Sequence, residues 1–158
     1  MKRKLLTLSV LVSLANPILA KVVSLDIVQI YQQYSLVQEA NQKIDSAEAG
    51  FKRVLETAEK ELTELETKGN PLEIEKKKDS IQDVVDEEME KIQDDKEFYN
   101  TQINRNIAKL LQDIAKEKSI NLVIEKGYVQ SPIEDITETF LTRLEAARKA
   151  EAKSPAKT

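Results

Sequence analysis

The sequence predicts a mainly α protein: a long antiparallel helical hairpin of coiled-coil arms projecting from a small β-strand oligomerisation core, with a short C-terminal helix. Three observations carry that expectation. The 158 residues include 3 Gly, 4 Pro and 4% aromatics with no Trp, too little turn punctuation for a sandwich or barrel and too little ring bulk for one thick core. Apolar residues recur at threes, fours and sevens through most of the chain, the spacing that gathers them on one helix face. The only strong breaker in mid-chain is Lys68-Gly69-Asn70-Pro71, where Gly and Asn accept left-handed geometry and Pro opens a new helix.

In chain order, the first element is an address. Lys2, Arg3 and Lys4 precede a short apolar run, Leu5 to Leu14, which closes on Asn16-Pro17 and Ile18-Leu19-Ala20. Basic, apolar and then small residues outline a secretory signal, and the run is too short to span a membrane comfortably. Residues 1–20 are therefore expected to be a signal peptide cleaved after Ala20, although Ile18 is larger than the residue usually wanted three positions before the cut. Loss of Lys2, Arg3 and Lys4 leaves 21 basic residues against 28 acids and moves the net charge from −4 to −7. An acidic chain without a basic stripe is a poor match to phosphate backbones, so no nucleic-acid partner is expected.

Val22 to Asp26 is short and β-branched, with Val23 and Leu25 on one face of an expected strand. From Ser35 to Lys68 one heptad row runs Val37, Ile44, Phe51, Ala58 and Leu65. Ala40, Ala47 and Val54 form a second row, with Leu55 and Leu62 beside it, so one helix of about 50 Å presents a coiled-coil seam. Beyond the breaker, Leu72, Ile74, Ile81, Val85, Met89, Ile92, Tyr99, Ile103, Ile107, Leu110 and Ile114 predict a second helix up to Glu117. A short connection and complementary stripes make these two an antiparallel pair. The acid-rich stretch from Asp83 to Glu97 reads as a solvated helix face, since a rigid helix does not wrap calcium as a loop does. Near the tip, Glu73, Glu75, Lys76, Lys77 and Lys78 mix charge and are expected to meet a membrane surface only weakly. Glu73-Lys77 and Glu56-Lys60 stand at favourable i,i+4 spacing.

At the far end of the pair, Ile120-Asn121-Leu122-Val123-Ile124 alternates, aiming Ile120, Leu122 and Ile124 to one side. Tyr128-Val129-Gln130 is a candidate third strand after a turn at Gly127. Ser131-Pro132-Ile133-Glu134 and Asp135-Ile136-Thr137-Glu138 are overlapping capping boxes for a last helix with Ile136, Phe140, Leu141 and Leu144 on its apolar face. The organisation is thus a signal peptide at 1–20, a strand-bearing oligomerisation body at 21–34 plus 119–145, and an arm at 35–118 with its tip near 68–71. Residues 146–158 are expected to form a flexible tail. So few strands are marginal alone, and pooling them between copies would remove exposed edges. Val23, Leu25, Ile120, Leu122 and Ile124 are the candidate oligomer-core residues.

Chemistry is narrowed by what is missing. Without His or Cys the chain lacks the usual zinc and copper ligands, a thiol nucleophile and an imidazole base, and no glycine-rich phosphate loop is present. No enzyme activity, metal or cofactor is expected. Exposed aromatic or Met side chains bind adaptable surfaces, so Phe51 and Leu55 in the first arm and Met89 and Phe98 in the second are the candidate client-facing positions.

Taken in order, the signal peptide, "KVVSLDIVQIYQQY", the helical hairpin, "INLVIEKG" and "SPIEDITETFLTRL" resemble the OmpH/Skp family of periplasmic chaperones across nearly the whole mature chain. The most specific pieces are Leu25-Asp26 with Ile30-Tyr31, then Leu122-Val123-Ile124, then Asp135-Ile136-Thr137 before Leu141 and Leu144. The resemblance implies a periplasmic homotrimer whose strands build a central barrel. Its arms would enclose unfolded outer-membrane proteins without ATP and stop their aggregation before membrane insertion. Two departures stand against it: the stretch from Ile124 to Asp135 is shorter than usual, and the arms are acidic where well-known members are basic. The competing expectation is an exported coiled-coil structural or adaptor protein of the cell envelope.

Overall fold

The computed structural model describes residues 20–153. The expected signal peptide, apart from Ala20, and residues 154–158 of the expected tail lie outside them. Strand β1 is Lys21–Leu25, helix α1 Ile27–Gln33, α2 Ser35–Lys68, α3 Pro71–Glu117, β2 Ile120–Glu125, β3 Glu134–Asp135 and α4 Thr137–Lys153. The described residues are mainly helical, with four α-helices and a small parallel sheet in the order β2-β1-β3. Among the described residues, no helix is long and apolar enough to cross a membrane.

Periodicity does not predict helix α1, whose seven residues are too few to show a repeat. Its signal is local. The Asp26 carboxylate accepts the Gln29 backbone N–H at 2.8 Å, an N-cap that satisfies one of the donors a helix start leaves unpaired. Helices α2 and α3 form where the heptads predict them. Gly69, at φ 72 and ψ 26, ends α2 and returns its N–H to Leu65 and Glu66, and Pro71 opens α3. At 47 residues, α3 is about 70 Å long. Contacts from Lys43 to Tyr99, Glu48 to Lys96 and Glu61 to Lys77 run in opposite chain directions, so the two helices are antiparallel.

The seam is uneven. Leu36 and Ala40 in α2, and Ile92, Tyr99, Ile103, Ile107 and Ile114 in α3, are buried. From Ile44 to Leu65, and from Ile74 to Val85, the inward residues are only half-buried. Leu72 and Met89, expected in the apolar row, are exposed instead. Half-buried Glu88 takes the seam position three residues after Val85 and four before Ile92, which turns Met89 out. Lys77 reaches across to Glu61 rather than along its own helix to Glu73. Seven of the eight acids between Asp83 and Glu97 are exposed.

The core sits at the sheet end. Tyr34, Phe140, Leu25, Ile30, Ile114, Ile136 and Leu144 are its largest fully buried side chains. Two strand expectations are corrected there. Lys21 pairs with Ile120 but Val22 pairs with Leu122, so Asn121 is an extra residue in β2, its side-chain oxygen accepting from the Lys21 backbone N–H at 2.8 Å. Such a bulge reverses the alternation. Ile120 and Val123 pack on the core, whereas Leu122, with Ile124 two residues on, lies on the other face.

The third strand is not Tyr128-Val129-Gln130. Lys126–Tyr128 is a single 3₁₀ turn, and β3 is formed by Glu134 and Asp135 alongside Val23 and Ser24. Ion pairs from Lys21 and Lys118 to Glu134, and from Lys126 to Asp135, hold it there. Of the two capping boxes only the second adjoins a helix. Asp135 accepts the Thr137 backbone N–H at 2.9 Å, while Glu138 bonds Gln29 rather than reaching back. Helix α4 continues through Ala146 to Lys153, where a flexible tail was expected. Ala is the best helix former, and the Arg148 guanidinium ties this stretch to Ser35 and Glu39.

Candidate functional site

Two surfaces and one polar cluster stand out. The first surface is a groove of about 440 Å³ between α2 and α3. Gly50, Val54 and Ala58 line it from α2, and Ile81, Val84 and Val85 from α3, with Arg53, Glu61 and Lys77 at its rim. Val54 and Val84 are exposed. At Gly50 an added Cβ would meet nothing within 4 Å, so the missing side chain leaves the wall of the groove open. The Glu61–Lys77 ion pair spans it.

The four candidate client-facing residues do not share one surface. Phe51 and Leu55 are half-buried in the seam, and only Leu55 lines the groove. Met89 is 56% and Phe98 61% exposed, yet nine positions on an α-helix turn about 180°, which places them on opposite flanks of α3. Phe98 lies two heptads beyond Val84 and therefore on the groove flank. Its ring meets Tyr99 edge to face at 5.4 Å, and the Lys43 ammonium lies over the Tyr99 ring at 5.5 Å. On the other flank, the Lys96 ammonium binds Glu48 at 2.7 Å. Gly50, Arg53 and Val84 were missed as site residues. The signal for Val84 was the heptad step to Phe98; the groove itself needs both helices to be seen together.

The second surface lies at the sheet end. Strand β2 is an edge, Leu122 is 52% exposed, and Val28 and Tyr128 are exposed nearby in sequence to the strands. Of the candidate oligomer-core residues, Val23 and Leu25 lie in the chain's own core and Ile120 packs against it. Leu122 and Ile124 occupy the outward face.

The polar cluster joins α4 to the start of α2. Tyr34 precedes α2 and makes no side-chain cap. Instead the Glu145 carboxylate accepts the Ser35 backbone N–H at 2.7 Å and its hydroxyl at 2.6 Å. The Arg148 guanidinium donates to Ser35 Oγ and Glu39. An acid at a helix N-terminus also meets the positive end of the helix dipole. Below it the Tyr34 hydroxyl accepts from Asn106 at 3.1 Å, and burial raises its pKa. At β3, the hydrogen bond from Lys126 and those from Thr137 lower the Asp135 carboxyl to about 2. These groups are partnered, and their arrangement is that of a scaffold joint.

Among the described residues there is no group of three or more acidic side chains placed to hold a metal ion. No protein-family model matches the chain, and no curated protein matches it.

Proposed function

We infer that this protein is an exported, ATP-independent holdase of the OmpH/Skp kind. The α2–α3 pair forms an arm projecting from a strand-bearing oligomerisation body, and three copies enclose unfolded outer-membrane proteins in the periplasm. The observation that carries the reading is the placement of exposed apolar residues, Val54, Val84 and Phe98, along one flank of a long helical pair whose distal seam is only half-buried. A spacer that only separates two anchors has no use for apolar side chains in water, whereas a holdase needs many weak apolar contacts. An unfolded barrel protein presents alternating apolar strands with unpaired edges. Several arms around one such chain add their weak contacts through effective concentration, so capture is firm while each contact releases readily. Insertion into the membrane then draws the client away.

The body supports the oligomeric part. Edge strand β2 and outward Leu122 and Ile124 are surfaces that a second copy would cover, with Val23, Leu25 and Ile120 holding each chain's own core beneath them. No catalytic role or cofactor is assigned. The acidic arms, in a chain of net charge −4, rule the basic electrostatic mode of well-known members out of this proposal.

The test combines mass and function on residues 21–158. Light scattering at micromolar concentration is expected to give three times the chain mass, and a monomer contradicts the assembly. Dilution of an urea-unfolded outer-membrane barrel protein into stoichiometric chaperone is expected to leave it soluble. Turbidity equal to that of the client alone contradicts the holdase.

A further inference from the structure

We propose that the groove on the Gly50 flank of the arm is the client seat, and that it takes an extended apolar segment carrying a carboxylate. The proposal rests on the holdase reading above and adds which flank binds and what chemistry it selects. The flanks differ in kind. On one, Val54 and Val84 are exposed beside the open wall at Gly50, and Phe98 continues the same side of α3. Val84 to Phe98 covers about 21 Å of helix axis, the span of about six extended residues. On the other flank, Met89 is exposed and Lys96 pairs with Glu48 further along α3.

Charge decides the class of segment. Of the ionisable groups on the groove, Lys77 is bound to Glu61, while Arg53 makes no ion pair among the described residues. The groove's uncompensated charge is therefore one guanidinium, set in an acidic chain. A guanidinium is weakly hydrated and matches a carboxylate in a two-pronged hydrogen bond. Apolar side chains fit the valine wall, and an acid two residues further along, on the same face of the extended segment, reaches Arg53. Segments bearing a lysine at that place meet repulsion instead.

The probes are two dansyl-labelled peptide amides, Leu-Ser-Leu-Ser-Asp-Ser and its counterpart with Lys for Asp, titrated with the assembled protein and read by fluorescence anisotropy. The Asp peptide is expected to bind about fivefold more tightly, the scale of an exposed charge contact, and Arg53→Glu to reverse the order. Gly50→Leu fills the groove and is expected to weaken both peptides about tenfold, whereas Met89→Ser leaves both unchanged. If Gly50→Leu lowers the melting temperature, Val84→Ser replaces it as the groove variant. Equal affinity of the two peptides for the wild type, or losses from Met89→Ser matching those from the groove variant, overturns the proposal. Client aggregation separates it from the broader reading. Wild-type protein that fails to keep an unfolded barrel protein soluble brings down the holdase and the seat together. Wild type, Arg53→Glu and the groove variant all succeeding equally brings down the seat alone.

Discussion

The sheet end and the distal arm are built from similar residues put to different use. At the sheet end, Tyr34, Ile30, Phe140 and Leu144 lose essentially all contact with water, and polar groups such as Ser35, Glu145 and Thr137 are bonded across elements. In the distal arm the helices meet through a half-buried seam and the Glu61–Lys77 ion pair, and Val54, Val84 and Met89 stay in solvent. Burial is the dominant stabilising term, so the base carries more of the chain's stability than the distal arm, whose apolar side chains remain exposed. A region can be that exposed only because the rest of the fold does not depend on it.

Truncations at the two ends should therefore differ sharply. Phe140→Ala, at the centre of the base, is expected to cost about 3–5 kcal/mol in urea unfolding. Leu55→Ala, in the half-buried seam, is expected to cost about 1–2 kcal/mol, well under the range for a fully buried leucine. Equal costs would break the comparison. Glu145→Ala sharpens it, because it removes a contact between base and arm without touching the apolar core. The loss of the Ser35 cap is expected to cost about 1 kcal/mol, and amide exchange should quicken first at residues 35–38.

Gly50→Ala is expected to go the other way. A glycine within a helix gives up about 0.5–1 kcal/mol relative to alanine, and the site has room for the methyl group, so the melting temperature should rise. A stabilised variant with weaker client holding would show that the glycine serves the groove. The smallest effect is at Asp135. Its folded pKa, about 2, lies below its ordinary 3.8, so its contribution is present above the higher value and fades as pH falls toward the lower. The side chain is 36% exposed and its pairing is screened by water, so the change should be slight. Asp135→Asn should flatten this part of the unfolding midpoint against pH, and a variant as pH-dependent as the wild type contradicts the assignment.

Much of the arm could be read from the chain alone. Heptads from Val37 to Leu65, a glycine at the turn and a proline after it state helix, stop and helix without help from tertiary contacts. The body was harder, because its decisive features are non-local. The extra residue at Asn121 depends on the pairing of β2 with β1, and it swapped Leu122 for Val123 at the core. Strand β3 is only two residues long and is defined by its pairing with β1 and by ion pairs from Lys21, Lys118 and Lys126, which no propensity scale reports. Helix α1 was legible in the Asp26 to Gln29 spacing but too short to show a period. The last turns of α4 depend on Arg148 reaching α2. For the candidate site, Phe98 falls outside the apolar row, whereas periodicity puts Met89 within it although the side chain is exposed, and the spacing alone does not show the groove that forms between the two helices.

Photo-crosslinking tests the central claim most directly. Benzoylphenylalanine placed singly at Val84, Phe98 and Met89 of the arm, and at Val28 of the base, would be irradiated in the presence of an unfolded outer-membrane barrel protein. Strong client adducts at Val84 and Phe98, with weak ones at Met89 and Val28, are the expected result. Adducts absent from the arm, or as strong at Val28 as at Val84, would contradict it.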